Sequence, residues 1–199
     1  MRRRKSFKFL TLWTAFLKDP VLLSVAVISF GAGYTVQDVF KTPSLPPLIQ
    51  SQEGIVCQTC FTPTYECLPL ILETIQKAQK TIRVQSYSFT SKEIAHALIK
   101  AHLKGIRVMV IADKSQRTAS HTQMKELAQQ EIEIFFDEKP AIAHNKIIIV
   151  DDTTVLTGSY NFTKAAEYRN AENIIVIKNK DVAKQYVLNF DERLAVSSR

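Results

Sequence analysis

Six residues in one short stretch have the types and spacing to do chemistry together: His144, Lys146, Asp151, Gly158, Ser159 and Asn161, in the order H-x-K-x4-D-x6-G-S-x-N. Average residue usage gives such a pattern odds on the order of one in 10^5 or less in a chain of this length. Histidine titrates near neutrality, so His144 can attack phosphorus when neutral and protonate a leaving oxygen when charged. One imidazole cannot do both jobs in the same step. Lys146 adds a point charge, Ser159 a hydroxyl and Asn161 an amide, all suited to phosphate oxygens. Together they suit cleavage of a phosphodiester.

The elements that must hold these groups follow from local pattern. Ile147-Ile148-Ile149-Val150 is apolar and β-branched, which predicts a buried strand over 144–150. Residues two apart on a strand share a face, so His144 and Lys146 are expected side by side. Ser159 and Asn161 share a face if the chain is extended after Gly158. Asp151 lies beyond the strand, in an Asp-Asp-Thr-Thr run that reads as a hairpin turn. It is counted with the catalytic set but is expected to position the site rather than react. Asp151-Asp152 is not a metal pair, no other spacing of acids or histidines suggests a metal, and no cofactor is expected.

From residue 55 onward strands and helices alternate. Strands are expected over 81–88, 107–112, 131–136, 144–150, 154–157 and 173–177. Helices are expected over 68–78, 91–104, 121–130 and 181–194, the second capped by Ser91 and ended by Gly105. This is an α/β pattern, one mixed sheet flanked by helices.

The first part of the chain differs. Residues 1–19 form a basic leader with Arg2, Arg3, Arg4, Lys5, Lys8 and Lys18. Residues 20–37 are apolar apart from a few small polar side chains and reach about the minimum for a membrane-spanning helix, ~17 residues. The flanking charge predicts a cytoplasmic amino terminus with the domain outside. A cleaved signal peptide, releasing the domain, is the competing reading. Residues 38–54, with Pro43, Pro46 and Pro47, read as an extended linker to a domain over 55–199.

The net charge of +7 comes from 26 basic and 19 acidic residues. Seven basic and two acidic residues fall in the first 41, leaving +2 for the rest. The charge therefore speaks first for topology. A local basic groove from Lys77, Lys80, Arg83, Lys114 and Arg117 and an ordinary solvated surface fit those residues equally well. His121 lies in a loop or helix start, as a minor candidate for touching substrate.

The H-x-K-x4-D-x6-G-S-x-N pattern resembles the signature of the phospholipase D superfamily. The likeness continues from Cys60-Phe-Thr-Pro63 through Val84-Gln-Ser-Tyr-Ser-Phe-Thr90 and Val108–Asp113 to Thr163-Lys-Ala-Ala-Glu167, as in the small, single-motif Nuc-like bacterial endonucleases. The resemblance implies an α/β sandwich and phosphodiester cleavage through a phosphohistidine, without a divalent metal. Lys146 and its symmetry mate would supply the charge. One motif per chain implies a homodimer with the active site on its two-fold axis, one His144 attacking and the other serving as acid and then base. It also implies that Glu172, in Asn170-Ala-Glu172-Asn173, orients His144, and that Cys60 and Cys67 are bridged while Cys57 is free or pairs between subunits. The substrate implied is nucleic acid, DNA and perhaps RNA, single strands being plausible. Single-motif relatives also include lipid enzymes, so phospholipid or cardiolipin at a membrane surface is the alternative. A non-catalytic DNA-binding protein is a third reading, disfavoured by the complete motif. The location implied is the bacterial inner membrane with the domain extracytoplasmic, or secretion after cleavage.

Overall fold

A computed structural model describes residues 54–63 and 67–199. The elements, in order, are β1 (Val56–Phe61), α1 (Cys67–Gln76), β2 (Thr81–Ser86), α2 (Lys92–Leu103) and β3 (Arg107–Asp113). A 3-10 turn (Lys114–Arg117), α3 (Met124–Gln129) and β4 (Glu133–Asp137) follow. Then come β5 (Lys146–Val150), β6 (Thr154–Gly158), α4 (Lys164–Tyr168), β7 (Asn173–Lys178) and α5 (Lys180–Val196). Among the described residues the strands make one mixed sheet in the order β1-β7-β6-β5-β2-β3-β4. β2, β3 and β4 are parallel, linked by helical crossovers. The other pairings are antiparallel.

Alternation along the strands builds two cores. On one face Ile82, Val84, Val110, Ile148 and Leu156 pack beneath helices α1, α2 and α3 through Ile71, Ile75, Ile94, Leu98 and Leu127. On the other, Met109, Ile111, Ile147, Ile149 and Val155 pack beneath α5 through Ala183 and Phe190. Fully burying a side chain of this size contributes about 1.5–3 kcal/mol, so the two layers fix strand order and register.

The Asp-Asp turn is formed by two left-handed residues, Asp151 (φ 51°) and Asp152 (φ 55°), a conformation that Asp tolerates better than most residues. The Asp151 carboxylate accepts the backbone N–H groups of Gln79 (2.8 Å), Lys80 (2.8 Å) and Thr81 (2.9 Å). It thereby clamps the loop entering β2 to the β5–β6 hairpin. Cys60 and Cys67 are bridged, joining β1 to α1, and Cys57 is exposed and unbridged.

Three expectations change. β1 lies inside the domain as an edge strand that sequence did not predict, because only one of its residues is buried. β5 begins at Lys146, so His144 precedes the strand. β6 ends at Gly158, so Ser159 and Asn161 do not lie on an extended strand. Among the described residues no helix is long and apolar enough to cross a membrane. The leader, the anchor over 20–37 and nearly all of the linker lie outside the described residues.

Candidate active site

His144, Lys146, Ser159 and Glu172 come together at one end of the sheet, where β2, β3 and β6 finish and β5 and β7 begin. Lys146 is only 5% exposed although its neighbour His144 is open to solvent. Its ammonium lies 3.0 Å from His144 Nδ1 and donates to the His144 carbonyl at 2.8 Å. Burial pushes the Lys146 ammonium below the usual lysine range, and the negative charge of Glu172 opposes that shift. Tyr87 packs against both groups, its ring centroid 4.5 Å from that of His144 and 5.2 Å from Lys146 Nζ. An ammonium at Nδ1 makes that nitrogen the acceptor and puts the ring proton of a neutral His144 on Nε2.

The expected hydrogen bond from His144 to Glu172 is not made. Glu172 instead accepts from Ser159 Oγ at 2.5 Å and from Asn170 Nδ2 at 2.9 Å. Its own N–H donates to Thr62 Oγ1 at 3.0 Å, while Thr62 Oγ1 donates to the Asn170 carbonyl at 2.9 Å. Asn173 donates twice to Ser159 Oγ, from its backbone at 3.1 Å and its side chain at 3.3 Å. So Glu172 reaches the His144–Lys146 pair through its field at Lys146, not by contact with the imidazole.

Gly158 makes this packing possible. A Cβ there would lie 2.1 Å from the Asn173 carbonyl oxygen, and φ is +155°. Only glycine lets β6 approach β7 this closely, which brings Ser159 onto Glu172.

Asn161 makes no side-chain hydrogen bond to His144 or Lys146, and its Oδ1 is buried without a partner, as is Ser86 Oγ beside the start of β5. Each such group costs about 1–3 kcal/mol, and these two lie near the reacting residues, whereas Arg83 Nε and His102 Nδ1 are unmet elsewhere. Asp151 is not part of the cluster, since it lies at the opposite end of β5. Of the two readings of Lys77, Lys80, Arg83, Lys114 and Arg117, the solvated surface fits better than one groove. Lys77 pairs with Glu73 and Arg83 with Asp152 at the Asp151 end, while Arg117 pairs with Glu138 at the other.

Sequence reasoning gave no role to Tyr87, Asn170, Asn173 or Asp113. Asp113 is buried at the end of β3 and accepts the Ala143 N–H at 2.7 Å, which pins the residue before His144. Burial alone would raise its carboxyl, but bonds from Ser115 and Ala143 outweigh that and hold it below the usual range. Asn170 and Asn173 were visible as neighbours of Glu172, but side-chain pairing is not readable from spacing. Among the described residues no group of three or more His, Cys, Asp or Glu side chains is placed to hold a metal.

Residues 71–194 match the family described as cardiolipin synthase, PLD-like domain. The chain is 41% identical over 140 residues to phospholipase D of Rickettsia typhi, covering 70% of this chain and 69% of that protein. It is 30% identical over 135 residues to the mitochondrial cardiolipin hydrolase of Xenopus tropicalis, covering 68% and 64%. The crystal structure of Nuc from Salmonella typhimurium, a phospholipase D family member, superposes with a TM-score of 0.70 at 34% identity, covering 73% of this chain and 97% of that one.

Proposed function

From the premise that the chain belongs to the phospholipase D superfamily, and so is a phosphodiesterase, we propose that it is a metal-independent endonuclease acting as a homodimer. The observation that carries this reading is the buried Lys146 ammonium held 3.0 Å from His144 at an otherwise open site. A fixed positive charge beside an imidazole is placed to draw a phosphate diester to the nitrogen that attacks it. The likeness to Nuc along nearly all of that chain favours nucleic acid as the substrate.

In this reading His144 attacks phosphorus, and a P–N bond forms as the P–O bond to the leaving strand breaks. His144 of the partner subunit gives its proton to the leaving oxygen, then takes one from the water that cleaves the P–N bond. Attack through Nε2 requires the ring proton on Nδ1 and an acceptor for it. Glu172, already ordered by Ser159 and Asn170, fills that role once His144 exchanges Lys146 for it. Lys146, Asn161 through its Nδ2, and Ser159 once its hydroxyl turns from Glu172 then donate to phosphate oxygens, and nothing in this set reads a base. The domain acts outside the cytoplasm, tethered by residues 20–37 or released after cleavage.

A second reading, hydrolysis of phospholipid or cardiolipin headgroups, is favoured by the relatives named phospholipase D and cardiolipin hydrolase. Parallel assays of the full chain on single- and double-stranded DNA, on RNA and on cardiolipin-containing vesicles separate the two. Turnover of DNA or RNA with none of lipid supports the nuclease; the reverse pattern replaces it with the lipid enzyme.

A further inference from the structure

Tyr87 touches two groups of the motif without belonging to it. β2 ends at Ser86, which stands opposite Lys146 in the antiparallel ladder with β5. The Tyr87 N–H carries that pairing one residue further by donating to the Asn145 carbonyl at 3.0 Å. Two residues on, Phe89 is fully buried, its ring meeting that of Phe162 edge-on with centroids 5.5 Å apart. The Phe89 N–H donates to Gln116 Oε1 at 3.3 Å, and the Phe162 N–H donates to the Ser88 carbonyl at 3.1 Å. The backbone of Tyr87 is thus held on both sides, while the residue stays only half-buried at the open end of the sheet.

A ring fixed in this way can steady what lies against it. Its centroid is 4.5 Å from that of His144, with the planes at 51°, a spacing within the range of favourable aromatic pairs. Lys146 Nζ lies 5.2 Å from the same centroid, inside the ~6 Å over which the negative face of a ring attracts a cation. The charged and titratable groups that face this ammonium are His144, Tyr87 and Glu172. An ammonium has three N–H donors. One meets His144 Nδ1 and another the His144 carbonyl. When the imidazole turns toward Glu172, the bond to Nδ1 is lost. The carbonyl and the Tyr87 ring then keep the ammonium in place, and the freed N–H is available to a phosphate oxygen.

We propose that Tyr87 is a positioning residue, whose ring holds the Lys146 ammonium at the site and supports His144 as it turns from Lys146 to Glu172. The inference rests on the reading in which His144 attacks phosphorus, and it is the same for a nucleic-acid or a lipid substrate. The face of the ring does this work, so the hydroxyl is dispensable.

The test compares the full chain with Tyr87→Phe, Tyr87→Leu and His144→Ala. The substrates are single-stranded DNA, cardiolipin-containing vesicles and bis(4-nitrophenyl) phosphate, a diester with neither base nor lipid. Circular dichroism gives the folded fraction, so that rates are stated per folded molecule. On each substrate the parent turns over, Tyr87→Leu is expected to lower kcat by roughly tenfold or more. Its KM should stay within about twofold, since the loss falls on the reacting geometry. Tyr87→Phe keeps the ring and should match the parent within about twofold in both constants. A leucine variant as active as the parent overturns the inference, as does a phenylalanine variant as impaired as the leucine one. A leucine variant with raised KM and unchanged kcat also overturns it, because the ring would then stack on substrate. In all three cases an inactive His144→Ala leaves the histidine reading standing. A His144→Ala that retains turnover, or a parent inactive on every substrate, overturns that reading and the role of Tyr87 together.

Discussion

The two ends of the β5–β6 hairpin solve opposite problems. At the turn, one Asp151 carboxylate meets three backbone N–H groups, and Asp152 pairs with Arg83. At the open end, Lys146 is buried against an imidazole, and Ser86 Oγ and Asn161 Oδ1 have no partner. The turn thus carries a carboxylate whose bonds fix geometry, with only Arg83 Nε unmet beside it among the described residues, while the open end leaves Ser86 Oγ and Asn161 Oδ1 unmet near the reacting groups. Polar groups of the motif are therefore not equivalent, although they appear together in sequence.

The contrast can be broken by substitution at each end. Lys146→Ala should reduce kcat by roughly 10^3-fold, in the range seen when a fixed charge stabiliser is lost, with the melting temperature unchanged or higher. Steady-state kinetics beside calorimetry checks both halves, and a fall in activity explained by unfolding would contradict the assignment. Gly158→Ala should cost about 3 kcal/mol or more, since a new Cβ meets the Asn173 carbonyl at 2.1 Å. Denaturant titration measures it, and activity should fall as well because Ser159 shifts from Glu172. At the other end Asp151→Ala should cost about 2–3 kcal/mol by orphaning three N–H groups and placing alanine at positive φ. Its kcat per folded molecule should stay at the parent value, and a large loss there would show that Asp151 takes part in the reaction.

Smaller effects sharpen the picture. Reducing the Cys60–Cys67 bridge, which closes a seven-residue separation, should cost about 2–3 kcal/mol on the chain-entropy model. Lys146→Met should stabilise the chain at neutral pH. The lysine's folded pKa lies below its unfolded value, so the unfolded state binds more protons between the two. The cost of burying the ammonium is fully present below the folded pKa and disappears as pH rises past the unfolded one. The advantage of the methionine should therefore shrink over that alkaline window, and a gain that grew with pH would reverse the sign of the shift.

Sequence was most informative where one signal dominates. The β-branched run Ile147–Val150 announced a buried strand, and Ser91 and Gly105 bounded α2 within a residue or two. The Asp-Asp turn was legible because few residues adopt left-handed backbone easily. β1 was not legible, since an edge strand exposed along most of its length has no periodic apolar face. The pairing of Ser159 with Glu172 depends on how closely β6 meets β7, and spacing along the chain carries no such distance. Asp151 shows a related limit, because its place in the turn beyond the strand was legible but the three N–H groups its carboxylate clamps, 70 to 72 residues earlier, were not.

The most direct test of the central claim is a single-turnover cleavage of phosphorus-labelled single-stranded DNA by the full chain in excess EDTA, beside His144→Ala. The account predicts that cutting survives EDTA, that the chain transiently carries the label at His144, and that the variant neither cuts nor becomes labelled. Cutting abolished by EDTA, or retained by His144→Ala, would contradict it.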